Sequence, residues 1–159
     1  MARTHLLDTS VYSQPIRKRM HAVVAARMPK LDQSQIAISA ICEAEVLFGL
    51  KKSGSPQMRA TYDSILRGRF LILPVDADVA ATYADLRADC ERQGTTVQDM
   101  DLLIAATAKT HGLAVVTLNA SDFARIPGVA VEDWSLPLGA TVPTLPESPE
   151  QPPERQLRD

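Results

Sequence analysis

Thr4-His5-Leu6-Leu7-Asp8-Thr9-Ser10 is a short apolar run that ends abruptly in an acid and two hydroxyl residues. It reads as a buried strand running into a turn and then a helix. The same alternation recurs downstream. Residues 36–38 form a second strand that passes at Ser39 into a helix through Leu50, ended by Ser53-Gly54-Ser55-Pro56. Residues 70–73 form a third strand closed by Pro74, residues 114–118 a fourth, and residues 129–131 a fifth after a short turn at 121–125. Between them, residues 17–28 carry Met20, Val23, Val24 and Ala26 among bases and predict an amphipathic helix that stops before Pro29. Residues 57–67 predict another helix. Asp76 and Asp78, read as caps, precede a helix with the stripe Val79, Tyr83, Leu86 and Cys90, and Gly94 ends it. A further helix spans 99–111, closed by Gly112. Strands alternating with helices predict an α/β fold with a mostly parallel sheet covered on both faces, and ligands at the carboxyl ends of its strands.

The 159 residues, 45% hydrophobic, suffice for one core and not two. The reading is one domain over residues 1–136 and a Pro-rich disordered tail over 137–159, where Pro143, Pro146, Pro149, Pro152 and Pro153 stand among acids and small residues. A formal charge of -2 argues against holding nucleic acid by net positive charge. Contact with a polyanion then falls to local basic patches, at Arg17-Lys18-Arg19, Arg27 with Lys30, Lys51-Lys52, and Arg67 with Arg69. Each of these patches reads equally well as a solvated face. Cys42 and Cys90 have no partner at zinc-like spacing and read as buried thiols. With no signal-peptide run and no long apolar segment, the expected setting is cytoplasmic, with no membrane partner.

Acids carry the chemical signal. Asp8 stands where a buried strand emerges, a costly place for a carboxylate unless it caps the next helix or coordinates a ligand. Glu43 and Glu45 lie on roughly opposite faces of an otherwise apolar helix. One faces solvent and the other needs a partner, and periodicity leaves open which. Asp101 sits early in a helix among Val97, Ile104, Ala105 and Ala108, where the helix dipole favours an anion. Asp99 fits a capping box begun by Thr96. Asp122 follows the fourth strand and shares Asp8's sheet edge if the sheet is parallel; alone, it reads equally well as the first-turn acid of a helix capped by Ser121.

Clustered carboxylates without histidine or cysteine suit a hard cation, magnesium with manganese as the alternative, and phosphodiester hydrolysis is the natural chemistry. Other arrangements fit less well. The three histidines are scattered, and His111 beside Gly112 reads as a helix C-terminal charge. A glycine-rich phosphate loop is absent, and Ser10 stands where a haloacid-dehalogenase phosphatase needs a second aspartate.

Taken together, Leu6-Leu7-Asp8-Thr9-Ser10, the 39–49 segment with Glu45, Asp101-Leu102-Leu103-Ile104-Ala105-Ala106 and Thr117-Leu118-Asn119-Ala120-Ser121-Asp122-Phe123 resemble the PIN-domain family in its own motif order, nearest to VapC-type toxins. The resemblance spans residues 3 to about 134 and rests on the motifs being in register, each being weak alone. It implies a PIN-like three-layer α/β/α sandwich, magnesium-dependent endoribonuclease activity, a homodimer and a cognate VapB-type antitoxin. By position Asp8 and Asp101 match the family's principal metal-binding acids, and Glu45 and Asp122 match the remaining catalytic acids. The register thus selects Glu45 over Glu43. Thr9, Ser10, Thr117 and Asn119 resemble the family's supporting polar residues, while Leu118 replaces the base that often lies between the Thr and Asn of the fourth-strand motif. An RNA-processing nuclease without antitoxin and a catalytically idle binding module are the alternatives within this resemblance.

Overall fold

The computed structural model describes residues 2–137. Strands β1 (His5–Leu7), β2 (Ile36–Ser39), β3 (Leu71–Leu73), β4 (Ala114–Thr117) and β5 (Val131–Asp133) form one sheet in the order β3-β2-β1-β4-β5. The expected mostly parallel sheet is parallel at every pairing. Every residue of β2 is buried, as a strand covered on both faces requires, whereas Leu71 and Ile72 on the edge strand β3 stay exposed. Helices α1 (Thr9–Tyr12), α2 (Ala22–Arg27), α3 (Ala40–Ser53), α4 (Pro56–Thr61), α5 (Ala77–Arg92), α6 (Asp99–Thr110) and α7 (Ala120–Ala124) flank it. α6 lies against β2 and β4 and carries α5 on its other side. Its apolar face, Leu102, Ile104, Ala105 and Ala108, closes the core with Leu7 and Val116.

Local chemistry explains several boundaries. Ser39 caps α3 by accepting the Ile41 N–H at 3.1 Å, and Gly54 ends the helix in the left-handed conformation, φ 62°. Asp76 caps α5 by accepting the Val79 N–H at 3.0 Å; Asp78 lies inside the first turn and caps nothing.

Three expectations are corrected. The helix expected over 17–28 is confined to Ala22–Arg27, because a 3-10 turn at Gln14–Ile16 contains Pro15 and the cationic run Arg17-Lys18-Arg19 follows it outside any helix. The helix expected over 57–67 starts at Pro56 under a Ser55 cap and widens at Tyr62–Leu66 into a π turn, closed by Arg67 N–H to the Tyr62 carbonyl at 2.9 Å. The fifth strand is Val131–Asp133 rather than 129–131. The left-handed Gly128, φ 71°, delays the strand until Val131, Glu132 and Asp133 come opposite Val115, Val116 and Thr117.

β1 is the strand from which the sheet grows in both directions, toward β2 and β3 on one side and β4 and β5 on the other. At such a switch point connections leave the carboxyl edge on opposite sides and open a crevice. Asp8 and Thr117, the residues at the β1 and β4 exits, stand at that point. Of the tail beginning at Pro137, residues 138–159 lie outside the described residues.

Candidate active site

Asp8 is only 3% exposed, and both of its carboxylate oxygens are held. Ser10 Oγ donates to Oδ1 at 2.6 Å and Thr117 Oγ1 donates to Oδ2 at 2.7 Å. Each hydroxyl is itself oriented by a backbone N–H from the turn after β4, Leu118 to Ser10 at 3.0 Å and Asn119 to Thr117 at 2.9 Å. With its acceptor side occupied, each hydroxyl presents its proton to Asp8. Asp8 also accepts the Val11 N–H at 3.3 Å, so it caps α1 from the carboxyl end of β1. Capping and coordination read as alternatives from the sequence; the structure shows the cap, and the cap leaves Asp8 Oδ2 open to a further partner. Burial pushes its carboxyl above the ordinary 3.8, and the bonds from Ser10, Thr117 and Val11 oppose that rise.

Glu45 sits on α3 and accepts a hydrogen bond from Thr9 Oγ1 at 2.7 Å. Glu43 is occupied elsewhere, accepting the hydroxyls of Tyr12, at 2.7 Å, and Tyr62. Neither acid faces solvent, contrary to the expectation for one of them: both are partly buried and bonded, Glu43 to two tyrosines and Glu45 to Thr9 on the side of Asp101. Burial and Glu43 together push the Tyr62 hydroxyl up to about 12 and that of Tyr12 higher still.

Asp101, in the first turn of α6, is half-buried and has no hydrogen-bond or ion-pair partner among the described residues. Its carboxyl is pushed above 3.8, first by burial and then by the charges of Asp8, Glu45 and Asp122. Those acids thus lie within electrostatic reach of Asp101, and no cation is paired with Asp101 itself among the described residues. Asp122, in the first turn of α7, is about half exposed and pairs with Arg125 at 3.1 Å. Its expected Ser121 cap is replaced by Asn119 as the residue preceding the helix. The capping box at Thr96 is absent as well. α6 starts after Gln98 without a side-chain cap, and Asp99 instead accepts from Tyr83 Oη at 2.8 Å and pairs with Arg87 at 3.1 Å. Asp99 thus remains a surface structural acid.

Cys42 lies beneath the site with its thiol on the Leu7 carbonyl at 3.5 Å, and burial pushes it up to about 12, so it is inert at neutral pH. Cys90 is also buried and free. Beside Glu45 a cavity of about 240 Å3 opens between α1 and α3, with Thr9, Glu45, Gly49, Met58 and Arg17 among its lining residues. Sequence reading did not connect Arg17 with Glu45; the one signal for it, a cation four residues after Ser13, depends on where the 3-10 turn sends the chain.

The donor set of Asp8, Glu45, Asp101 and Asp122 consists of oxygens alone, which suits a hard divalent cation. Among the described residues no three acidic, histidine or cysteine side chains meet closely enough to enclose an ion. Asp101, half-buried without a partner, is the group whose environment asks for positive charge most directly.

Residues 5–129 match the family model of the PIN domain. The tRNA(fMet)-specific endonuclease VapC of Shigella flexneri is 33% identical over 130 residues, which cover 82% of this chain and 97% of that protein. Among solved structures, FitAcB from Neisseria gonorrhoeae superposes with a TM-score of 0.75 at 32% identity, covering 85% of this chain and 99% of that one. DNA-bound VapBC from Salmonella typhimurium gives 0.72 at 31% identity, covering 83% of this chain and 98% of that one. The topology, the acids at the carboxyl edge and this likeness over most of the length agree, and the chain belongs to the PIN-domain family, in its VapC-type group.

Proposed function

We propose that this chain is a magnesium-dependent endoribonuclease, with manganese as an alternative cation, and the toxin of a VapBC-type toxin–antitoxin pair. The observation that carries this reading is Asp101: a half-buried carboxylate without a partner, in the field of Asp8, Glu45 and Asp122 at the switch point of the sheet. Its VapC-type relatives supply the substrate class, RNA, and the solved VapBC and FitAB assemblies supply the partner class, a VapB-type antitoxin. A homodimer and a cytoplasmic setting go with that reading. Among the described residues no helix is long and apolar enough to cross a membrane.

Asp8 and Asp101 would hold the cation, with Glu45 and Asp122 completing its acidic surroundings. A bound divalent ion supplies an activated water and neutralises charge on the phosphate. Ser10 and Thr117 keep both Asp8 oxygens in one orientation; Oδ1 also accepts the Val11 N–H, so Oδ2 is the oxygen with a lone pair left for a ligand. Glu45, anchored through Oε1 by Thr9, keeps Oε2 free to accept the proton released by an attacking water. Asp122 at the outer rim, paired with Arg125, sets the charge at the mouth of the site.

The test is brief induction in a bacterial host with and without the antitoxin encoded beside it, followed by mapping of new RNA 5′ ends. Growth arrest with discrete cleavage sites, both suppressed by the antitoxin, is the expected result. Discrete cleavage unaffected by any neighbouring gene product would favour a processing nuclease. Absence of new ends would leave a binding module as the remaining reading.

A further inference from the structure

α3 carries Glu45, Phe48, Gly49 and Lys52 at helical spacing, so these residues form one stripe about 100° wide along its outer side. Phe48 is 67% exposed, the most exposed large hydrophobic residue among those described, while Tyr12, Tyr62, Phe70, Phe123 and Trp134 are buried. An aromatic ring left in water one turn from a catalytic-site acid gains nothing for the fold. Gly49 is equally unexplained by packing. It lies inside a helix, where glycine costs about 1 kcal/mol relative to alanine, and a Cβ added there would meet nothing within 4 Å. The protein itself does not need that bare backbone, but something that approaches it closely would.

Across the cavity from Glu45 and Gly49 stands Arg17. Its Nε donates to Ser13 Oγ at 3.2 Å, and it forms no ion pair among the described residues, leaving its terminal N–H donors uncommitted. A second cavity, which shares Ile16, Arg17 and Met58 with the first, continues past Lys18, Ser53 and Ser55. Most arginines elsewhere are paired: Arg27 with Glu132, Arg87 with Asp99, Arg125 with Asp122. Uncommitted cations thus flank the exposed ring and the bare backbone, beside a cluster of acids. That combination of stacking surface and unpaired cations fits a single nucleic-acid strand rather than an apolar protein segment.

We propose that this cavity and its rim bind the nucleotide next to the scissile phosphate of a single-stranded RNA, Phe48 stacking its base, Gly49 admitting its sugar and Arg17 holding its phosphate. The proposal rests on the ribonuclease reading for its substrate class and adds the subsite that reads the flanking base.

The test measures binding apart from cleavage. With magnesium chelated so that no chain is cut, the affinities of a labelled oligoadenylate and of an abasic ribose-phosphate chain of equal length are compared. Phe48→Leu should weaken oligoadenylate binding about tenfold and leave the abasic chain unchanged, and Phe48→Trp should restore it. Arg17→Gln should weaken both and reduce the salt slope by about one unit. Equal effects of Phe48→Leu on the two chains, or none, overturn the proposal. So does a Phe48→Leu protein that binds RNA normally but changes its state of self-association in light scattering, since the ring would then belong to a protein interface. Base-dependent binding without magnesium-dependent cleavage would refute the ribonuclease reading and leave the subsite standing; cleavage insensitive to Phe48→Leu would do the reverse.

Discussion

Glu43 and Glu45 lie two positions apart on α3 and have opposite fates. Glu43 joins Tyr12 of α1 to Tyr62 of the π turn, a tie between elements far apart in sequence. Glu43→Ala strands two buried hydroxyls and should lower stability by about 2–4 kcal/mol, whereas Glu45→Gln should leave the melting temperature nearly unchanged and suppress RNA cleavage. Chemical denaturation beside a cleavage assay separates the two. Helical periodicity places both acids on an apolar helix but does not tell them apart, because their partners come from other segments. The family register chose Glu45 for its position. Asp8 was legible from the strand that precedes it, and its dual role as cap and candidate ligand was not, since the Thr117 contact spans most of the chain. Burial raises the carboxyls of Asp8 and Asp101, so each binds a proton more tightly folded than unfolded. That favours the folded state at low pH and is lost as pH rises from about 3.8 through the raised values. In metal-free melts, wild-type stability should therefore fall relative to Asp101→Asn as pH rises from 4 toward 7, and an identical pH profile for the two proteins would show that Asp101 carries no such strain.

Elements with strong patterns were read correctly in type: the apolar strands, α3, α5 and α6. The misreadings fall where backbone chemistry overrides apolar spacing. Met20, Val23 and Val24 look helical back to Arg17, but Pro15 and three consecutive cations keep that stretch irregular, which is what places Arg17 on the wall of the cavity. β5 lacks an apolar alternation because its side chains serve other ends; Glu132 receives Trp134 Nε1 at 2.9 Å, His5 and Arg27. On α3, Gly49→Ala should raise stability by about 0.5–1 kcal/mol, since its Cβ meets open space and the helix gains propensity. RNA affinity should fall at the same time. A variant that is more stable and binds RNA as well as wild type would remove Gly49 from the subsite.

At the scale of the molecule, the parallel sheet gathers residues from its β1, α3, α6 and β4–α7 connections onto one edge, an arrangement that alternating strands and helices announce in advance. Trp134, just after β5, is buried and stacked under Arg27 at 4.7 Å. Truncation after Pro137 should accordingly preserve the melting temperature and the cleavage rate, and a large loss of stability would show that residues 138–159 pack on the domain. The central claim, that the edge acids hold a cation which cuts RNA, is tested most directly by titrating magnesium into wild-type and Asp101→Asn proteins while following RNA cleavage and melting temperature together. Wild type should gain activity and stability in parallel, by RT ln(1 + [L]/Kd) for the stability. The variant should start about 0.5–2 kcal/mol more stable without metal, gain little on titration and cut nothing. Magnesium-dependent cleavage by Asp101→Asn, with stabilisation equal to wild type, would contradict the account.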